Sequence, residues 1–543
     1  MTGFTLVEAL MVGLVYYLAY CEVSMPLLGA GLQDPVTSGL IIGFLFGDYK
    51  LGMEIGVGIG LMFFNAGAQV GGNLPTDAVL AACIVVPLSI KYNIPVATAM
   101  GIAAPFGVLG TFVDNARRMI NGVWNRQAQK HVDEGKWNML TFDSIIGPSI
   151  VSAVLRIVPL ALLLYLFGDA AGEVVSTLPA WLTNGFGVIA GLLPGLGLVL
   201  CVQFIGKQEL LPYFLVGFFA VLLGQTSTVF IALIGVCLAF LHIQFIEYKF
   251  EDDYDDDEEE EETEIRNPYR PDAIFPSKTA YFWWVMKFNF FYRISQCLEY
   301  FYGTGTACTM YAQMKRVYGD NEEGLKVAYK RELKPFITNM AWGTELTTIA
   351  LVMEEDIAKN GDPDGLKGQA IESFKTGLMG PMAGLGDTIE VAIFMPIFKS
   401  ICYPLAAAGN IAGAFPFTYW FAWQLVPSYV TGRIGYEQGQ KGLTKLLSSS
   451  IITKLLYGAG ILGILLMGAM CASYCHLDFT ISWTNALGVE TNINAMLNSL
   501  IPGFSTLAYL GFVYLLLNKG VSFTKIMIGV VIFGLVGALI GIV

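Results

Sequence analysis

The chain has 543 residues, 55% of them hydrophobic and 14% charged, with a mean hydropathy of +0.59. A soluble protein carries about a quarter charged residues, so a water-soluble globular body and a nucleic-acid binder are both excluded. The formal charge of −13 is local: Glu251–Glu264 (EDDYDDDEEEEETE) holds 12 acids and no base, and taking those 12 from the chain's 44 leaves 32 acids against 31 bases.

Apolar segments of about 20 residues, each able to cross a bilayer roughly 30 Å thick, recur along the chain. They lack the alternating polar positions of a β-barrel strand, so the fold class is an all-α polytopic membrane protein. In the first half the predicted spans are 4–20, 36–64, 78–113 (long enough for two helices), 144–168, 184–204, 209–224 and 226–247. The first of these has no basic leader and does not read as a cleavable signal peptide. Gly52, Gly56, Gly58 and Gly60 recur along one segment and allow helices to approach closely. Asn115–Trp137, with Arg117, Arg118, Arg126, Lys130 and Lys136, reads as an amphipathic helix at the membrane interface.

The acidic run divides the chain. Like charges keep it solvated, and Pro268, Pro271 and Pro276 oppose a helix after it. The organisation is therefore a membrane domain over 1–250, a tether over 251–276, and a second membrane domain over 277–543. The second domain opens amphipathic, with a turn and a charged helix over Arg316–Phe336 whose basic residues indicate a cytoplasmic face. Spans follow at 389–408, 412–431, 451–473, 497–517 and 524–543.

Nine scattered cysteines read as small core residues. Cys471, Cys475 and His476 lack a fourth metal ligand and read as helix packing, so no metal and no cofactor is expected. His131 and His242 stand alone, and no catalytic residue is expected. Two stretches have the composition of interrupted helices, which mark transporter substrate sites. One is Phe63–Ala78, FFNAGAQVGGNLPTDA; the other is Gly377–Glu390, GLMGPMAGLGDTIE, where Pro381 is expected to break the helix and the glycines to let a re-entrant backbone pass close to its neighbours. Asn65, Gln69, Asn73, Asp77 and Asp387 can pair with the hydroxyls of a neutral polyol. For Asn65, Gln69 and Asn73 the competing role is helix–helix bonding or loop capping; for Asp77 it is the N-cap of the helix that "PTDAVLAA" begins. For Asp387 it is a staple of the glycine-rich turn. A rival function, a proton-coupled secondary sugar transporter, would use Glu345, Asp387 and Glu390.

The segments GLMGPMAGLGD (377–387), LKPFITN (333–339), ALVMEE (350–355) and LNSLIPGFSTLAYLGFVYLLLNKG (497–520) resemble the IID component of the mannose-family phosphotransferase system. LIIGFLFGDYKLGMEIG (40–56), NLPTDAVLAA (73–82) and LPYFLVGFFAVLL (211–223) are similar to its IIC component. The resemblance covers nearly everything outside 251–276 and implies a IIC–IID fusion of the bacterial cytoplasmic membrane. It implies uptake of a hexose or amino sugar, phosphorylation by a phosphohistidine on a partner IIB fed by IIA, and a trimer working as an elevator among membrane lipid. It also implies sugar contacts at Glu299, Thr338 and Asn339, although the family's polar runs are altered here to Cys297–Tyr302 and Ile337–Asn339, and Leu61 stands where relatives carry an acid or amide. Tyr302 and Tyr300 could stack on an apolar sugar face. The basic stretches 115–137 and 315–334 are read as lipid anchors or as a IIB docking surface.

Overall fold

The computed structural model describes residues 3–21, 30–64, 76–176, 178–205, 208–226, 228–250, 269–447, 450–484 and 490–543. The first half contributes α1 (Leu6–Tyr20), α2 (Ala30–Leu32), α3 (Pro35–Phe46), α4 (Tyr49–Met62), α5 (Ala78–Tyr92), α6 (Val96–Asp133), α7 (Gly147–Ser176), α8 (Ala180–Ile205), α9 (Leu211–Gly224) and α10 (Thr228–Phe250). The second contributes α11 (Lys278–Phe291), α12 (Gly303–Tyr318), α13 (Glu322–Glu332), α14 (Met340–Asn360), α15 (Leu366–Gly386), a π-helical stretch (Asp387–Phe394), α16 (Met395–Ala407), α17 (Pro416–Leu447) and α18 (Ser450–Tyr474). A short hairpin of β1 (Ser482–Thr484) and β2 (Glu490–Asn492) then precedes α19 (Ile493–Leu500), α20 (Phe504–Asn518) and α21 (Phe523–Leu539).

Among the described residues, Val96–Asp133, Trp137–Ala170, Ala180–Gln203, Leu366–Ala407 and Tyr457–Tyr474 are long and apolar enough to cross a bilayer. A sixth crossing is the pair α19–α20, bent by 77° across its break. The outer face of α7 shows what these helices meet: Ile150, Val154, Val158, Leu162 and Leu166 lie four residues apart and are all exposed. Such a stripe suits lipid and would be costly in water.

The expected single span at 36–64 is instead a hairpin of α3 and α4, of 12 and 14 residues. Gly47, at φ +91°, reverses the chain, and Asp48 caps α4 by accepting from Leu51 N at 3.0 Å. Each arm is about 20 Å long, short of the bilayer core. The arms touch backbone to backbone. A Cβ on Gly39 would collide with the carbonyl oxygen of Gly52, and one on Gly56 would lie 2.6 Å from that of Pro35. Gly52→Val is therefore expected to cost at least about 1–3 kcal/mol by overpacking. Its thermal midpoint in detergent should fall well below that of the parent, and an unchanged midpoint would show that the hairpin can open harmlessly.

The segment 78–113 divides at Asn93, the left-handed cap of α5, and its second helix runs unbroken to Asp133. The interfacial helix expected over 115–137 is thus mostly the end of α6. Arg117 and Arg118 are buried, because Asp114 accepts from both, at 3.0 and 2.6 Å, and also from Arg156 of α7 at 3.3 Å. A shared carboxylate is what lets three guanidinium groups leave water.

The two halves are not separate bodies. The largest apolar core joins α3, α4 and α5 to residues of α16, α18, α20 and α21. α18 packs on α8, α9 and α10, and α21 on α8. Cys471 and Cys475 are buried, and His476 N donates to Gly191 O of α8. No group of three His, Cys, Asp or Glu among the described residues is arranged to hold a metal ion.

Candidate functional site

The stretch 377–390 is helical throughout, as α15 and the start of the π-helical stretch. Pro381 sits inside α15 without ending it, which corrects the expected re-entrant turn. At membrane depth an opened backbone leaves unpaired groups, each costing several kcal/mol. A widened π turn relaxes the helix while keeping its bonds. Trp420 Nε1 donates to the carbonyl of Glu390 at 3.0 Å within that stretch.

Gly386 explains where the following aspartate goes. A Cβ there would lie 2.5 Å from Trp342 Cδ1 and would also collide with the Asn339 side chain. Glycine lets α15 approach the start of α14, and Asn339 Nδ2 then donates to Asp387 Oδ1 at 3.1 Å. Asn339 is itself fixed, because its Oδ1 caps α14 by accepting from Ala341 N at 3.0 Å. Thr338, next to it, is buried, and its Oγ1 has no hydrogen-bond partner among the described residues.

Tyr302 reaches the same cluster through backbone pairing. Its N–H donates to Phe336 O at 2.9 Å, and Cys297 N donates to Phe301 O at 3.1 Å, closing a tight loop with Phe301 at φ +49°. An aromatic ladder along α11 supports the ring: Trp284 to Phe288 at 5.6 Å, Phe288 to Tyr292 at 5.0 Å and Tyr292 to Tyr302 at 5.2 Å. The Arg293 guanidinium lies 5.8 Å from the Tyr302 ring centroid and interacts electrostatically with Asp387. Sequence reading missed Arg293, although a single base inside the aromatic run FFYRISQ was the signal. Asn339 and Asp387 are therefore bonded, Thr338 adjoins Asn339 in the chain, Tyr302 is tied by its backbone to Phe336, and Arg293 interacts with both the Tyr302 ring and Asp387.

Glu299 stands at the rim, paired with Arg126 of α6 at 3.2 Å, both side chains more than half exposed. Deeper contacts seat this loop on the first half. Gln296 accepts from Arg117 at 3.3 Å through its side chain and from Asn121 at 3.1 Å through its carbonyl, and Asn125 donates to Thr304.

Asp77 has different company. It caps α5 by accepting from Leu80 N at 2.8 Å, and it accepts from Tyr16 Oη at 2.7 Å and Tyr20 Oη at 2.8 Å. It lies against Gly110 on α6, eleven residues before Asn121, roughly 16 Å along the helix axis from the Gln296 contact. Asn65, Gln69 and Asn73 lie outside the described residues. The ends of that segment are described: Lys399 Nζ donates to Phe64 O at 3.0 Å, and Asp77 N donates to Gly107 O at 2.7 Å. Of the acids a proton-coupled transporter would use, Glu345 on α14 is buried with neither carboxylate oxygen hydrogen-bonded among the described residues, and burial pushes its carboxyl up to about 8. Glu390 is also buried, with Oε2 lacking a partner.

Comparison with known proteins places this geometry in context. Residues 277–543 match the family described as PTS system mannose/fructose/sorbose family IID component, and residues 6–241 match PTS system sorbose-specific IIC component. The chain is 31% identical over 242 residues to the fructose permease IID component of Bacillus subtilis (strain 168), covering 43% of this chain and 85% of that protein. It is 24% identical over 210 residues to the sorbose-specific EIIC component of Klebsiella pneumoniae, covering 39% of this chain and 79% of that protein. Among solved structures, a chain of the mannose transporter ManYZ in complex with microcin E492 shares 27% identity and a TM-score of 0.28, covering 49% of this chain and 97% of the other.

Proposed function

Because the chain belongs to the mannose/fructose/sorbose family of phosphotransferase-system permeases, with IIC and IID components in one polypeptide, we propose that Tyr302, Thr338, Asn339 and Asp387 form the second half's share of its sugar site. The protein is a multi-pass component of the bacterial cytoplasmic membrane that transports sugar within that system. Its substrate is a hexose or amino sugar, phosphorylated during uptake by a phosphohistidine of the partner IIB. The observation that carries the reading is the Asn339–Asp387 bond, which Gly386 permits.

The chemistry suits an uncharged carbohydrate. An ionised carboxylate has about four lone-pair positions. Asn339 occupies one, which leaves acceptors for sugar hydroxyls, and the Tyr302 ring offers an apolar face. Asn65, Gln69 and Asn73 would complete the site from the first half, with Asp77 holding the end of their segment and Glu299 at the rim. The proposal includes the trimer and the elevator-like motion that the family resemblance implies.

Membrane vesicles with the cytoplasmic face outward, given radiolabelled hexose, test the reading. Sugar phosphate is expected to form only when phosphorylated IIB is added. Accumulation of free sugar without IIB, driven by a proton gradient, would overturn it in favour of the secondary transporter.

A further inference from the structure

The last turns of α6 and the residues after them enclose an open pocket of about 380 Å³, lined by Arg126, Gln127, Lys130, His131, Glu134 and Lys136. Its shape follows from local rules. Residues 126, 127, 130, 131 and 134 fall on one face at helical spacing. Gly135, at φ +69°, then turns the chain: its N–H donates to Val132 O at 3.1 Å and that of Lys136 to His131 O at 2.8 Å. This closure satisfies the last carbonyls and brings Lys136 back to the pocket.

Three basic side chains line the pocket, two paired with Glu134 and one with Glu299. Glu134 lies 2.6 Å from Lys136 Nζ and 3.9 Å from Lys130 Nζ, so the two ammonium groups already converge on an oxyanion. Among the described residues Arg126 pairs with the exposed Glu299, a kind of contact worth about 0–1 kcal/mol. An anion of higher charge can therefore recruit all three.

His131 forms the buried wall of the pocket. It is buried, and its Nδ1 lies 2.6 Å from Asp143 Oδ2, a carboxylate with no exposure. A carboxylate only accepts, so Nδ1 carries a hydrogen and Nε2 is the ring nitrogen left over, with no hydrogen bond among the described residues. Asp143 Oδ1 has no hydrogen-bond partner among the described residues. His131 is a single imidazole in sequence; the fold makes it half of a dyad.

We propose that this pocket is a seat for a phosphate group, bound as a dianion by Arg126, Lys130 and Lys136, with His131 in its buried wall. A guanidinium fork and two ammonium groups can meet a tetrahedral oxyanion on several sides. The group is carried by a soluble phosphomonoester or by a lipid headgroup. The pocket opens beside the loop that bears Glu299 and Tyr302, but its assignment rests on its own chemistry and not on the transport reading.

The test uses the full chain in maltoside micelles titrated with inorganic phosphate and with a hexose 6-phosphate, and separately in nanodiscs containing phosphatidylglycerol, with bound lipid counted by native mass spectrometry. Saturable phosphate binding that weakens at least tenfold in Lys130→Gln/Lys136→Gln establishes the seat with a soluble ligand. Retention of phosphatidylglycerol that the same variant loses, with no phosphate binding, establishes it with a lipid ligand. The lysines are exposed, so this variant should fold. Equal binding of both probes by the parent and the lysine variant overturns the proposal.

Discussion

Asp387→Ala should reduce sugar uptake by at least about 100-fold at normal expression. A hydrogen bond to a charged group is worth about 1.5–3 kcal/mol, so losing two from the sugar removes roughly 3–6 kcal/mol. Each 1.4 kcal/mol is about tenfold in affinity, so the loss exceeds two orders of magnitude. Alanine also leaves the Asn339 amide without its acceptor, while Asn339 Oδ1 still caps α14. Asp387→Asn should retain an acceptor for Asn339 and lose the charge, so its uptake should lie between those of alanine and the parent. Gly386→Ala is the structural counterpart: it leaves the carboxylate in place but forces α15 away from Asn339 and Trp342, and should also depress uptake. Normal uptake by Asp387→Ala would remove that carboxylate from the site.

Local chemistry was legible in the sequence and long-range pairing was not. The turn and charged helix predicted within 316–336 correspond to Gly319 at φ +54° and α13, capped by Asn321, because turn and cap residues act over a few positions. The N-cap role weighed for Asp77 is likewise visible, but nothing in the local pattern announced that Tyr16 and Tyr20 would occupy its carboxylate. Arg117 and Arg118 read as interfacial because the part-buried contact of their shared partner Asp114 with Arg156 joins residues 42 positions apart. Pro381 read as a break because proline removes one helical bond; the chain keeps its helix and widens the next turns. The cluster itself was half legible. Asp387 and Asn339 came from motifs, whereas Arg293 joins them only through the fold.

Lys399 provides the strongest stability prediction and shows how the two halves depend on each other. It was a lone base in the apolar run MPIFKSICYPLAA, and its partner lies 365 positions away. Its Nζ sits 3.7 Å from Asp34 Oδ2, both side chains being buried, and 3.0 Å from Phe64 O. Asp34 also accepts from Tyr403 Oη at 3.0 Å and from Val36 N at 3.0 Å, capping α3. Removing one member of a buried ion pair costs about 3–5 kcal/mol, because the other charge stays in a poor solvent. Lys399→Met should therefore lower the thermal midpoint in detergent sharply. Adding Asp34→Asn removes the stranded charge, while the amide oxygen can still accept from Val36 N and the amide NH2 can donate to Tyr403 Oη, so the double variant should recover about 0.5–3 kcal/mol relative to additivity. Uptake should behave differently from stability. Phe64 is the residue before the segment that carries Asn65, Gln69 and Asn73, and both variants lack the ammonium that holds its carbonyl. The double variant is thus expected to regain its fold without regaining transport. Recovery of both together would show that Lys399 serves the pair with Asp34 alone, and an unchanged midpoint in Lys399→Met would show that the buried pair does not join the halves.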